Sequence, residues 1–122
     1  MSVRECGGEP SAQKWDIHYM DGRIHNAHAN VCLNVEGCES KIIYDGCPAA
    51  GKGCDATPTM PFPNEVFSLK SDGQLVSALP GGKCATVGAD KTVSLRPCGA
   101  TNDKQKWKYG LCSIQYLSWV CA

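Results

Sequence analysis

The sequence predicts an all-β domain built by using one supersecondary unit three times. Three observations carry this: aromatics follow cysteines at a repeated spacing, Asp-Gly turns precede cysteines at a repeated spacing, and no stretch has a 3.6-residue apolar period. Cys6 is followed nine residues later by Trp15, inside Gln13-Lys14-Trp15. Cys98 is likewise followed nine residues later by Trp107, inside Gln105-Lys106-Trp107. A looser copy runs from Cys47 to Phe67, inside Glu65-Val66-Phe67, with about eleven extra residues. Self-similarity at a period of roughly 40 to 50 residues marks one structural unit used repeatedly.

The front half of the unit repeats as well. Asp21-Gly22-Arg23-Ile24 stands ahead of Cys32-Leu33-Asn34-Val35, and Asp72-Gly73-Gln74-Leu75 ahead of Cys84-Ala85-Thr86-Val87. From glycine to cysteine is ten residues in the first case and eleven in the second. The next cysteine follows after fifteen residues (Cys32 to Cys47) or fourteen (Cys84 to Cys98). Two whole units therefore span 16–67 and 68–107. A third is divided between the chain ends, with 108–122 as its front half and 1–15 as its back half, where Val3-Arg4-Glu5-Cys6 parallels Val93 to Cys98.

Individual segments agree. Lys41-Ile42-Ile43-Tyr44 and Thr92-Val93-Ser94-Leu95 read as short strands. Asp-Gly at 21–22, 45–46 and 72–73 marks turns, and thirteen glycines and seven prolines suit many more. A length of 122 residues makes one domain, 1–122. Twelve Lys/Arg balance twelve Asp/Glu, and no basic run appears, which argues against nucleic acid and anionic membranes as partners. The apolar stretch 114–122 is too short to cross a bilayer, so no membrane insertion is expected. Met1 opens no signal peptide and is read as a processing artefact.

Taken together, the two Gln-x-Trp triplets, the Asp-Gly turns and the paired cysteines resemble the ricin-type lectin family, over nearly the whole chain. The resemblance implies a β-trefoil of about twelve short strands, with Trp15, Phe67 and Trp107 as core near its pseudo-threefold axis. The phase differs, since family members start and end between units; a circular permutation is the expected cause rather than truncation. Joining the ends leaves seven residues from Cys121 round to Cys6. The family holds galactose-like sugars in shallow pockets, using an acid two residues after the first cysteine, an aromatic platform just before the second, and an Asn beside the closing Gln. Carried onto unit 16–67, this implies a carbohydrate site of Asn34, Tyr44 and Asn64, with Asp45 and Glu65 beside them. An amide replaces the acid at Asn34, and Glu65 replaces the Gln. Unit 68–107 offers Thr86, Arg96 and Lys104 instead. In the split unit the acid position falls beyond Ala122, and Arg4 sits near the platform.

Nine cysteines in so short a chain point to an oxidising compartment, hence a secreted or extracellular protein, or one of the lysosomal or vacuolar lumen. Composition leaves the connectivity open, but the repeat offers a rule. Linking the two cysteines of each unit gives Cys32–Cys47, Cys84–Cys98 and Cys6–Cys121, the last tying the termini. Cys38 and Cys54 supply a fourth bridge, leaving Cys112 as a buried thiol or a link to another chain. A loop of over 100 residues is worth about 4–5 kcal/mol in the chain-entropy model, against roughly 3 for fifteen residues. Zinc is the competing use of cysteine, yet no Cys-x-x-Cys occurs, so no metal is expected.

Catalytic motifs are absent: no Gly-x-Ser-x-Gly, no His-Glu-x-x-His, no phosphate loop. His18, His25 and His28 cluster in one unit but read as solvated, and Glu36 with Glu39 is too ordinary a pair for a hydrolytic dyad. The expected function is a carbohydrate-binding module for galactose-like glycans or glycoconjugates, without catalytic residues or cofactor. Two alternatives stand beside it. One is an accessory module packed on the catalytic domain of a secreted or lysosomal glycosidase. The other is a protein-binding trefoil of inhibitor or effector type, presenting the insertion 51–63 with Pro58, Met60, Pro61, Phe62 and Pro63.

Overall fold

In the computed structural model, which describes residues 1–2, 4–5, 14–19, 22–47, 62–110, 113–116 and 120–121, the chain forms three four-stranded antiparallel sheets. The first contains β2 (Asp16–Tyr19), β3 (Arg23–Asn26), β4 (Val31–Val35) and β5 (Ile42–Gly46), in that order. The second contains β6 (Phe67–Leu69), β7 (Leu75–Ser77), β8 (Cys84–Val87) and β9 (Val93–Arg96). The third has the order β1 (Arg4–Glu5), β12 (Val120–Cys121), β11 (Ser113–Tyr116), β10 (Trp107–Gly110). It brings the N-terminal strand beside the last one, with Arg4 opposite Cys121 and Glu5 opposite Val120. Three-residue 3-10 turns stand at Glu36–Cys38, Pro63–Glu65 and Asp103–Gln105. The architecture is the expected all-β, β-trefoil one.

The sheets begin alike because their turns and closing aromatics obey the same sterics. Gly22 and Gly73 both have φ near +89°, in the region that residues with a Cβ rarely adopt. A Cβ on Gly22 would lie 3.1 Å from Val66 Cγ1, and one on Gly73 3.1 Å from the Trp107 carbonyl oxygen. The Trp107 amide donates to the Gly73 carbonyl at 2.7 Å, fastening the end of one segment to the turn that opened it. After β3 and β7 the turns are capped by short polar side chains. Asn26 Oδ1 accepts from the Ala29 amide (3.0 Å), and Ser77 Oγ from the Leu79 amide (3.2 Å).

One hydrophobic cluster holds Trp15, Phe67 and Trp107 together with Ile24, Leu33, Val35, Ile42, Leu75, Val93 and Leu95. Trp107 Nε1 donates to the Ala85 carbonyl at 3.0 Å, so its burial leaves no indole donor unpaired. Backbone hydrogen bonds stitch segments to one another: Leu95 N–H to the Ser40 carbonyl (2.7 Å), Ala78 N–H to that of Val66 (2.9 Å), and Val93 N–H to that of Met1 (3.0 Å). Two disulfides, Cys32–Cys47 and Cys84–Cys98, pin the outer hairpins. Cys38 is disulfide-bonded too, while Cys54, Cys6 and Cys112 lie outside the described residues. At the β8–β9 tip the Thr92 hydroxyl donates to Asp90 (2.6 Å), and this bond holds the carboxyl below its usual range.

The turn geometry makes a direct prediction. Gly73→Ala should destabilise the domain by about 1–3 kcal/mol, because it combines a left-handed φ with a Cβ pressed on the Trp107 backbone. Urea unfolding of the oxidised protein measures this, and a variant as stable as the parent would contradict it.

Candidate functional site

The site expected from the first unit is built on β4 and β5. Side chains alternate along β4, so Leu33 and Val35 enter the core while Cys32 and Asn34 take the other face. Directly opposite residues of an antiparallel pair share a face. Asn34 is opposite Ile43, Cys32 opposite Asp45, and Leu33 opposite Tyr44. Asn34, Ile43 and Asp45 therefore lie on one face, and Tyr44 on the other.

The closing 3-10 turn supplies the remaining partner. Pro63 opens it with a preset φ, and the Glu65 amide donates to the Phe62 carbonyl at 2.8 Å. This presents Asn64, whose Nδ2 donates to Asn34 Oδ1 at 2.8 Å. Both amides are largely buried, at 6% and 5% exposure, and Asn64 Oδ1 has no hydrogen-bond partner among the described residues. Glu65, next to Asn64 in the same turn, is fully buried. Asp45 stands exposed at the rim and accepts from the Gly46 amide at 2.8 Å.

Thus the structure brings Asn34 and Asn64 together, sets Asp45 on the same strand face as Asn34, buries Glu65 beside Asn64 in the chain, and puts Tyr44 at a register position of the other face. By the two-residue period of β5, Tyr44, expected as a platform, stands at the register position of Leu33 rather than of Asn34. Its ring instead packs against Trp15, with centroids 5.3 Å apart and planes 29° from parallel. Counting back from the second cysteine left a one-residue ambiguity that only the register resolves. By register, Asp45 is the counterpart of Arg96, since both stand opposite the first cysteine, and Tyr44 is the counterpart of Leu95.

The second sheet shows the same positions closed from behind. Gln105 is fully buried, and its Nε2 donates to Thr86 Oγ1 (2.9 Å) and to the Pro97 carbonyl (2.9 Å), while Oε1 accepts from the Gly99 amide (2.9 Å). The Thr86 hydroxyl donates in turn to the Cys84 carbonyl at 2.9 Å. Among the described histidines, His25 is hydrogen-bonded through Nε2 to Asn30 Oδ1 (3.1 Å). No group of three or more His, Cys, Asp or Glu among the described residues is placed to hold a metal ion. No described helix is long and apolar enough to cross a membrane.

Removing one member of the amide pair tests its structural weight. Asn34→Ala leaves the buried Asn64 amide without its acceptor and should cost about 1–3 kcal/mol, whereas Asn34→Asp keeps an acceptor and should cost less. Chemical denaturation of the two variants side by side checks the order; equal losses would contradict it.

Comparison with known proteins bears on the same residues. The model of the ricin-type beta-trefoil lectin domain family matches residues 20–114, which include both described disulfides and every member of the candidate site. The cytolysin of Vibrio vulnificus (strain CMCP6) is 32% identical over 78 residues, a match covering 64% of this chain and 15% of that protein. The chain thus corresponds to a small part of that relative's length. With the sheets, disulfides and closing aromatics already described, this chain belongs to the ricin-type β-trefoil lectin domain family, a family of carbohydrate-binding modules.

Proposed function

We propose that the domain binds galactose-type sugars, galactose or N-acetylgalactosamine, through the outer face of β4–β5, with Asn34 and Asn64 as the hydroxyl-binding pair. The observation that carries this reading is the 2.8 Å bond between the two amides, which leaves Asn64 Oδ1 an acceptor beside Asn34 with no partner among the described residues. Buried acceptors are normally satisfied, and a sugar hydroxyl is a donor suited to this one. Asp45 is the rim residue, accepting a further hydroxyl from solvent side. Glu65 is a positioning residue next to Asn64 in the same turn, and Tyr44 steadies the hairpin through Trp15.

Affinity in this arrangement is weak. A neutral amide at Asn34 forgoes the charge-assisted bonds that a carboxylate makes, and Tyr44 by register takes the other face of the hairpin. The expected Kd for a monosaccharide is on the order of millimolar, since few directional bonds offset the cost of association. The module works in an oxidising, extracellular or lumenal setting, as its disulfides suit. Its match to a small part of a longer cytolysin supports a role as an appended binding unit. The division into one split unit (1–15 with 108–122) and two continuous ones (16–67, 68–107) is part of the same reading.

A second reading rests on a specific observation, the near-complete burial of Asn34 and Asn64. It makes the trefoil a scaffold for a protein partner. Amide-shift NMR titration with galactose, lactose and N-acetylgalactosamine separates the two. Sugar binding predicts shifts at Asn34, Ile43, Asp45 and Asn64, strengthened several-fold by Asn34→Asp and unaffected by Arg96→Ala. The absence of shifts with all three sugars would leave the scaffold reading in its place.

A further inference from the structure

The disulfides Cys32–Cys47 and Cys84–Cys98 stand at matching places in their sheets, yet their surroundings differ in access and in charge. Each ties a fully buried cysteine, Cys32 or Cys84, to a cysteine just past the end of the next strand. Of those second cysteines, Cys98 is exposed and Cys47 is half-buried. Cys32 has His25 of β3 opposite it on one side and Asp45 of β5 on the other. Cys84 has Val76 of β7 and Arg96 of β9. Directly opposite residues share a face, with Cβ atoms roughly 4.5–5.5 Å apart. Cys84 therefore has a guanidinium-bearing neighbour where Cys32 has a carboxylate, and the His25 ring is hydrogen-bonded to Asn30.

The loop that carries Cys98 is fixed independently of its disulfide. Gln105 donates to the Pro97 carbonyl (2.9 Å) and accepts from the Gly99 amide (2.9 Å), so both chain neighbours of Cys98 are held. Gln74 Nε2 adds a bond to the Gly99 carbonyl at 3.1 Å. Cys98 Sγ itself lies 3.2 Å from the Gly82 carbonyl oxygen. A disulfide sulfur has no hydrogen to give that oxygen, whereas a thiol has one. The loop thus places a hydrogen-bond acceptor beside Cys98 that only its reduced form can use.

We infer that Cys84–Cys98 is a thiol-exchange site, at which a small anionic thiol adds to Cys98 and Cys84 leaves. Exchange proceeds by attack of a thiolate on one sulfur of the disulfide. Access selects the sulfur attacked, and the charge around the other sets how readily it departs. Exposure selects Cys98. The incoming thiolate bonds to Cys98 Sγ as the Cys84–Cys98 bond breaks, and that bond's electron pair passes to Cys84 Sγ. One S–S bond replaces another, so no oxidant or reductant is consumed. Arg96, opposite Cys84, favours the departing thiolate and attracts an anionic thiol. Asp45, opposite Cys32, disfavours both at the other disulfide. Because Gln105 keeps the Cys98 loop in place, Cys84 stays within reach to displace the adduct, and the exchange is reversible.

The test treats the oxidised whole chain with glutathione or with cationic cysteamine. Samples are quenched in acid, alkylated unfolded and mapped by mass spectrometry. The glutathione adduct should appear on Cys98 and the new free thiol on Cys84, with Cys84–Cys98 opening several-fold faster than Cys32–Cys47. Glutathione should outpace cysteamine once each is normalised to its rate with a small neutral disulfide. Sodium chloride at about 1 M, where the Debye length is roughly 3 Å, should reduce that preference. Arg96→Gln should slow the opening of Cys84–Cys98 about threefold or more, the scale of one nearby charge in water, and leave Cys32–Cys47 unchanged. Arg96→Lys keeps the charge and should restore most of the rate. Arg96 is exposed, and an otherwise unchanged amide spectrum verifies that each variant is folded. An adduct on Cys84, faster opening of Cys32–Cys47, or an unaltered rate in Arg96→Gln would overturn the inference.

Discussion

Burial of the closing aromatics in one shared core is the constraint from which the rest of the molecule follows. Trp15, Phe67 and Trp107 come from segments far apart in sequence yet belong to a single cluster. Fully burying a large apolar side chain is worth roughly 1.5–3 kcal/mol, and the core aligns the backbone at the same time. The Trp107 amide is bonded to Gly73 and its indole to Ala85, which fixes where the chain stands when it enters β10. The residues just before the aromatic inherit that placement. Gln105 is delivered to Thr86, and Asn64 to Asn34, so both side-chain pairs are consequences of core packing two or three residues downstream.

Disulfides act on the same positions from the opposite side. Cys32 and Cys84 each lie two residues before a site residue on the same strand face, and each is tied to the end of the next strand. Site residues are thus held between a covalent bond in front and an aromatic anchor behind. Such support allows the outer face to change its chemistry without disturbing the fold. The change from an amide pair at Asn34 and Asn64 to Thr86 and Lys104 is one instance, with Asp45 and Arg96 as opposite charges at one register position.

Much of this was legible in the sequence for identifiable reasons. Cysteine spacing reports strand length plus loop length, and it named both described disulfides. The glycines before each cysteine marked left-handed turns because only glycine tolerates φ near +89° there. Aromatic spacing named the core residues. The face taken by Tyr44 was not legible, because spacing from Cys47 does not distinguish position 44 from 45, and in a strand that one residue reverses the direction of the side chain.

The proposed reading makes the domain a weak carbohydrate binder. The most direct measurement of that claim is a glycan array probed with the purified, oxidised domain, displayed multivalently so that millimolar contacts register. The account predicts signal on glycans with terminal galactose-type residues. An array with no glycan signal, from protein shown to be folded, would contradict it.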